Sequence, residues 1–181
     1  MKTIEIVGKN YFGHWTHERT ACRGVIIEDG RVLLSYAVRD DLWMIPGGGL
    51  EAGEDEGTCC VRELAEETGR VVLPSACALE LQEYYEDCKY VSRYFFGAVV
   101  GRCAPKLTET ERRMGLESRW LPVAEALQIF SRHADYTDTD EERRGIYQRE
   151  YTALSALLTG RGIAEMGETV SCCHGAADSV Y

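Results

Sequence analysis

Long apolar runs are missing from this 181-residue chain, and so is any C-x-x-C pair. The first absence excludes a membrane-spanning helix, which needs about 20 consecutive apolar residues. The second removes the commonest thiol spacing of zinc ribbons and redox motifs. Positive charge is also in short supply, with 20 Lys and Arg against 30 Asp and Glu and a formal net charge of −10. That balance argues against non-specific binding to nucleic acid or to an anionic membrane. No signal-like segment comes first, because Met1-Lys2-Thr3-Ile4-Glu5 runs straight into a strand-like stretch. A cytoplasmic location is the expectation.

What the chain does have is a hydrophobic content of 45%, enough for one compact domain with a real core. The expected organisation is a single domain over residues 1–160 and a flexible tail over 161–181, where glycines and small residues follow without period. The negative charge is uneven. Glu51, Glu54, Asp55, Glu56, Glu63, Glu66 and Glu67 face Arg62 alone, so this short stretch holds −6 of the total −10. Eight cysteines stand at 22, 59, 60, 77, 88, 103, 172 and 173. Without paired spacing they read as reduced thiols used as small apolar residues. Cys172-Cys173-His174 lies in the expected tail with no further ligands nearby and reads as structurally idle.

Strands are expected at Ile4 to Val7, Thr20 to Glu28, Arg31 to Ala37, Cys77 to Tyr85, Tyr90 to Val100 and Glu117 to Leu121. Asp29-Gly30 marks a hairpin turn. Pro105 to Gly115 reads as a polar loop. Helices are expected over Asp55 to Thr68, from Pro122 to about Phe130, and from just after a capping Asp138 or Thr139 to about Leu158, where Tyr147, Tyr151, Leu154 and Leu158 recur at helical spacing.

The helix ending at Gly69 carries the chemistry. At 100° per residue, Glu63, Glu66 and Glu67 share one 100° arc, with Leu64, Thr68, Val61, Gly57 and Ala65 opposite. Like charges at these spacings cost about 0.2–0.5 kcal/mol each. A hard divalent cation such as Mg²⁺ turns that repulsion into coordination. Cys59 and Cys60 flank the arc. Ala-like packing is the preferred reading for them, and inhibition through thiol modification is the sharper alternative.

Pro46-Gly47-Gly48-Gly49-Leu50-Glu51-Ala52-Gly53-Glu54 precedes the helix, a glycine-rich turn that permits close approach to a ligand. From Gly48 to Gly69 the chain resembles the Nudix box, G-x5-E-x7-R-E-U-x-E-E-x-G-U, where U is aliphatic. Every named position matches except the last, where Arg70 stands.

The resemblance implies an α/β/α sandwich with a mixed β-sheet between helices. It implies a Mg²⁺-dependent pyrophosphohydrolase, with Mn²⁺ as an alternative cation, acting on a small-molecule nucleoside diphosphate linked to another group. Glu63, Glu66 and Glu67 are then the cation ligands, together with the Gly47 carbonyl. Glu54 and Arg62 take structural roles, as do Gly48 and Gly69. The general base is a helix carboxylate, Glu63 or Glu66, or a loop glutamate, Glu111 or Glu117, with Glu109 behind them.

Arg23, Arg39 and Arg93 are candidates for holding phosphates. Tyr85, with Trp15, Trp43, Tyr84 and Tyr90, is a candidate for stacking on a base. No proline stands about fifteen residues past the box, which in the family tilts away from ADP-ribose and toward triphosphates or dinucleoside polyphosphates. A nucleotide sensor that binds without cleaving is the alternative. The aromatic run Asn10-Tyr11-Phe12-Gly13-His14-Trp15 predicts a homodimer interface.

Overall fold

The computed structural model describes residues 2–160. The chain runs through β1 (Lys2–Val7), β2 (His17–Val25), β3 (Ile27–Glu28), β4 (Arg31–Ala37), β5 (Leu42–Met44), β6 (Gly47–Gly49) and α1 (Glu56–Thr68). It continues with β7 (Arg70–Tyr85), β8 (Cys88–Arg102), α2 (Glu109–Met114), β9 (Leu116–Pro122), α3 (Val123–Ser131), a 3-10 turn (Arg132–Tyr136) and α4 (Glu141–Gly160). The stretch expected to be a tail, 161–181, lies outside the described residues.

One sheet has the order β1-β7-β8-β2-β6 and is mixed. The β1/β7 and β2/β8 pairs are parallel, and the β7/β8 and β2/β6 pairs antiparallel. A second, antiparallel sheet joins β3, β4 and β5, with β9 on the other side of β4. Strand alternation sorts side chains into two cores, as a two-faced sheet requires. Cys22, Ile26, Leu33 and Phe95 pack with Cys59, Cys60 and Leu64 of α1. Val25, Leu34, Leu81 and Tyr94 pack with Phe130 of α3 and Tyr147 and Leu154 of α4. The mixed sheet thus lies between helices, as expected.

Local chemistry sets most boundaries. Asp55 caps α1, its side chain accepting from the Thr58 N–H at 3.0 Å. Gly69 ends the helix at φ 66°, a left-handed conformation that glycine adopts without a Cβ penalty. Asp29 and Gly30, both with positive φ, make the expected β3–β4 turn.

Several expectations change, first among the strands, where the expected Thr20 to Glu28 strand is split between β2 and β3 and the strand expected from Cys77 begins at Arg70. The Pro105 to Gly115 stretch contains α2, closed by a reciprocal cap between Thr108 and Glu111 that its polar composition concealed. α4 starts one or two residues later than expected, because Asp140, not Asp138 or Thr139, takes the capping bond from the Arg143 N–H. The aromatic run partly folds back on its own sheet, with Tyr11 and Trp15 against Tyr84 at 5.3 and 5.8 Å between ring centroids. Phe12 stays exposed.

Candidate active site

Pairing of β6 with β2 lays Gly47–Gly49 beside Ala21–Arg23, directly against one side of α1. Gly48 leaves room there for an acid of α1. A Cβ at this position would sit 2.4 Å from Glu63 Oε2, so any side chain displaces that carboxylate.

Arg62 organises the acids. Its Nε and Nη2 donate to the two oxygens of Glu54 at 2.8 and 2.9 Å, a bidentate fork. Nη1 reaches Glu63 at 2.8 Å and Glu66 at 3.3 Å, and Nη2 also donates to the Gly49 carbonyl at 3.0 Å. Glu54 in turn accepts from the Glu51 N–H at 3.2 Å, which pins the glycine turn. The Arg62 fork holds the Glu54 carboxyl below its usual range.

Glu67 departs from the helical-wheel picture. It is buried, with Oε2 accepting from Ser35 Oγ at 2.7 Å and from the Gly47 N–H at 3.3 Å. Burial pushes its pKa up to about 7, opposed by the Ser35 bond and by the Arg23 charge. Burial likewise raises Glu63, although Arg62 opposes the shift. The wheel places three acids opposite an apolar face. In the fold both sides of α1 are covered, and the acids are graded from half-exposed Glu66 to enclosed Glu67.

Glu111 belongs with this group. Its Oε2 caps α2, accepting from the Thr108 N–H at 2.6 Å, and its charge raises the pKa of both Glu63 and Glu67. Glu109 is exposed on α2. Glu117 lies elsewhere. It stands opposite Tyr36 in the β4/β9 register and pairs with Arg119, which lies over the Tyr36 and Trp43 rings.

A cavity of about 530 Å³ opens beside Gly47 and Gly48 and includes Arg23, Tyr85 and Tyr90 from the candidate substrate contacts. Arg39 is not among the residues lining this cavity; it is exposed in the β4–β5 connection, its N–H bonded to the Met114 carbonyl. Arg93 is engaged by Glu80 and Glu56 on the α1 side of the sheet.

The sequence reading missed Ser35, Glu83, Arg149 and Glu150. Glu150 is fully enclosed, bonded by Arg149 at 2.8 Å and by Tyr94 Oη at 3.2 Å, with Arg23 at 3.8 Å. Buried Glu83 lies 3.8 Å from Arg149, and its Oε2 has no hydrogen-bond partner among the described residues. A charged residue within the apolar stripe of α4 was the available signal for Glu150.

Arg70, the departure from the box, has a local explanation. Its Nη1 donates to the Thr68 carbonyl at 2.9 Å and to Ser118 Oγ at 3.0 Å, tying the end of α1 to β9. Cys59 and Cys60 are buried, and burial raises both thiols, Cys60 to about 12. Reactivity needs an accessible thiolate, so the packing reading fits them and the modification reading does not.

The model of the NUDIX domain matches residues 17–142. An RNA pyrophosphohydrolase from Sphingopyxis alaskensis is 37% identical over 71 residues, covering 36% of this chain and 45% of that protein. Human diphosphoinositol polyphosphate phosphohydrolase 3-alpha is 30% identical over 106 residues, covering 59% and 63%. The chain therefore spans about half the length of these curated relatives. Among solved structures, a NUDIX hydrolase from Nitrosomonas europaea aligns with a TM-score of 0.53 at 22% identity, over 75% of this chain and 89% of that one. At that identity the likeness speaks for the fold. With the domain match spanning more than half of its length and the carboxylate helix in place, the chain belongs to the Nudix hydrolase family.

Proposed function

We propose that this protein is a divalent-cation-dependent pyrophosphohydrolase acting on a nucleoside diphosphate linked to a second group. The observation that carries the reading is the division of labour on α1. Arg62 gathers Glu54, Glu63 and Glu66, while Glu67 is anchored beside Gly47 at the mouth of the cavity.

The donor set fits a hard cation. Arg62 is the cationic partner of Glu63 and Glu66, Arg23 is the cation that opposes the shift of Glu67, and Glu63 and Glu67 carry raised pKa values caused chiefly by burial. Carboxylate oxygens of this kind suit Mg²⁺ or Mn²⁺. Glu63, Glu66 and Glu67 would hold the ion, which when bound neutralises phosphate oxygens and lowers the pKa of water. Glu54 and Arg62 orient those ligands, and Glu111 or Glu66 serves as base.

The cavity supports a nucleoside at its far end. Arg23 and Arg149 are balanced by Glu83 and Glu150, so its floor has little surplus positive charge for a further phosphate. Glu83 offers an unpartnered acceptor that an N–H or O–H donor satisfies, and Tyr85 and Tyr90 line the same space. The names of the relatives share hydrolysis of phosphate linkages and differ in the organic portion. No described helix is long and apolar enough to cross a membrane, and the reading places the enzyme in the cytoplasm.

A panel of nucleoside triphosphates, dinucleoside polyphosphates and nucleotide sugars with Mg²⁺ or Mn²⁺ tests this, with phosphate read after a coupled phosphatase. Cleavage of at least one class, abolished by chelator, is the expected result. Tight binding without cleavage across the panel selects the sensor reading instead.

A homodimer is part of the same proposal, because Phe12 remains 63% exposed at the edge of the aromatic segment. Light scattering is expected to give twice the 20.3 kDa chain mass. A mass near 20.3 kDa means that the packing on Tyr84 is the segment's whole role.

A further inference from the structure

The turn between β7 and β8 holds a second ligand cluster, away from the acidic helix. His17 opens β2 and Cys88 opens β8, and the parallel register sets them opposite one another. Asp87 immediately precedes Cys88. The backbone N–H groups of Thr16 and His17 both donate to the Asp87 carbonyl, at 2.8 and 3.2 Å, so the three side chains stand on main chain that is already tied together.

The three side chains stand close enough together to share one ion. His17 Nδ1 lies 3.0 Å from Asp87 Oδ2, and Cys88 Sγ lies 3.7 Å from Asp87 Oδ1. One ligand atom from each residue falls within 4.8 Å of the other two, the only such trio found among the described residues. A tetrahedral ion held at about 2.0–2.3 Å by nitrogen, oxygen and sulfur sets its ligands about 3.3–3.5 Å apart. The two separations run to different oxygens of Asp87, Oδ2 for His17 and Oδ1 for Cys88, and lie on either side of that spacing. Thr16 Oγ1 donates to Asp87 Oδ2 at 2.6 Å, an outer contact that orients the carboxylate. The His17 side chain is 75% exposed, which leaves a fourth position open to water.

We propose that His17, Asp87 and Cys88 form a Zn²⁺ site clamping the start of β2 to the β7–β8 hairpin. Imidazole and thiolate select a borderline ion over Mg²⁺, so this site is chemically distinct from the carboxylates of α1. Cys88 releases its thiol proton to solvent as the metal binds. The location gives the site a consequence. Glu86 and Tyr90 flank Asp87 and Cys88 in sequence, Arg19 follows His17 by two residues, and all three line the cavity beside Gly47. An ion here stiffens that rim.

Co²⁺ is the probe, titrated into the full chain under reducing conditions in excess Mg²⁺. A tetrahedral visible spectrum with a near-ultraviolet thiolate-to-cobalt band is expected at one equivalent and is displaced by Zn²⁺. The thiolate band is lost in Cys88→Ser, and Co²⁺ affinity falls at least about tenfold in His17→Ala. Circular dichroism of both variants without Co²⁺ matches the unsubstituted chain. No thiolate band in the unsubstituted protein means a hydrogen-bonded hairpin tie only and overturns the proposal. A band that survives Cys88→Ser assigns the ion to other thiols, such as exposed Cys103, and also overturns it. So does unchanged affinity in His17→Ala, a substitution of an exposed side chain that decides the matter if Cys88→Ser alters the fold.

Discussion

Glu66→Gln and Glu67→Gln are each expected to lower metal-dependent turnover by at least about 100-fold, the rate equivalent of about 2.7 kcal/mol in the barrier. Glutamine keeps the shape of the side chain and removes the negative charge that a hard cation needs. The two variants differ in stability. Glu66 is partly exposed and also meets Arg62 at 3.3 Å, so its replacement both relieves repulsion with Glu63 and weakens that pair, and the metal-free melting temperature changes little. Glu67 is enclosed by Ser35 and the Gly47 N–H. A neutral amide there avoids the desolvation that burial imposes on the carboxylate, but it must still offer its oxygen to both donors. The melting temperature of metal-free Glu67→Gln is therefore expected to exceed that of the unsubstituted protein most clearly above about pH 7, where the native residue is ionised. Steady-state kinetics and melting curves at several pH values check both statements. Near-native turnover in both variants would remove the carboxylates from the cation site.

The second large effect is the coupling of stability to pH and metal. In the metal-free protein, burial raises Glu67 from 4.5 to about 7. A carboxyl that holds its proton more tightly when folded stabilises the native state fully below about pH 4.5, and loses that contribution as pH rises through about 7. The shift is worth about 3 kcal/mol. Glu63 is displaced in the same direction. Glu54, Asp55 and Glu141 are displaced downward by their partners and act oppositely, but their contributions are lost at lower pH as they protonate. Between about pH 5 and pH 8 with chelator, the melting temperature is expected to fall by several degrees. Saturating Mg²⁺ favours the ionised acids and is expected to flatten or reverse the slope. Parallel slopes with and without Mg²⁺ would separate Glu67 from metal binding.

Much of the site was already readable in the chain because it is local. The carboxylate helix is bounded by Asp55 and Gly69, a capping side chain and a left-handed glycine, which need only neighbouring residues to act. Arg62 reaches Glu54, Glu63 and Glu66 across eight, one and four positions, distances that one helix and its preceding turn span by themselves. The Asp29-Gly30 turn is of the same kind.

Tertiary structure decided what depends on packing between distant segments. A helical wheel gives the angle of each side chain about its own axis and nothing about what covers each side. Glu67 is therefore buried against Ser35, 32 residues away, although it shares an arc with half-exposed Glu66. Strand pairing separated residues of equal promise. The β2/β6 pair brings Arg23 to Gly47, while Arg39 stands in the β4–β5 connection, outside the lining of the cavity. The β4/β9 register sets Glu117 opposite Tyr36, while the short α2 holds Glu111 within reach of Glu63 and Glu67. Glu83 and Glu150 join around Arg149 only because α4 packs across β7; the apolar stripe of α4 marks Glu150 as facing inward but says nothing of the partners it meets.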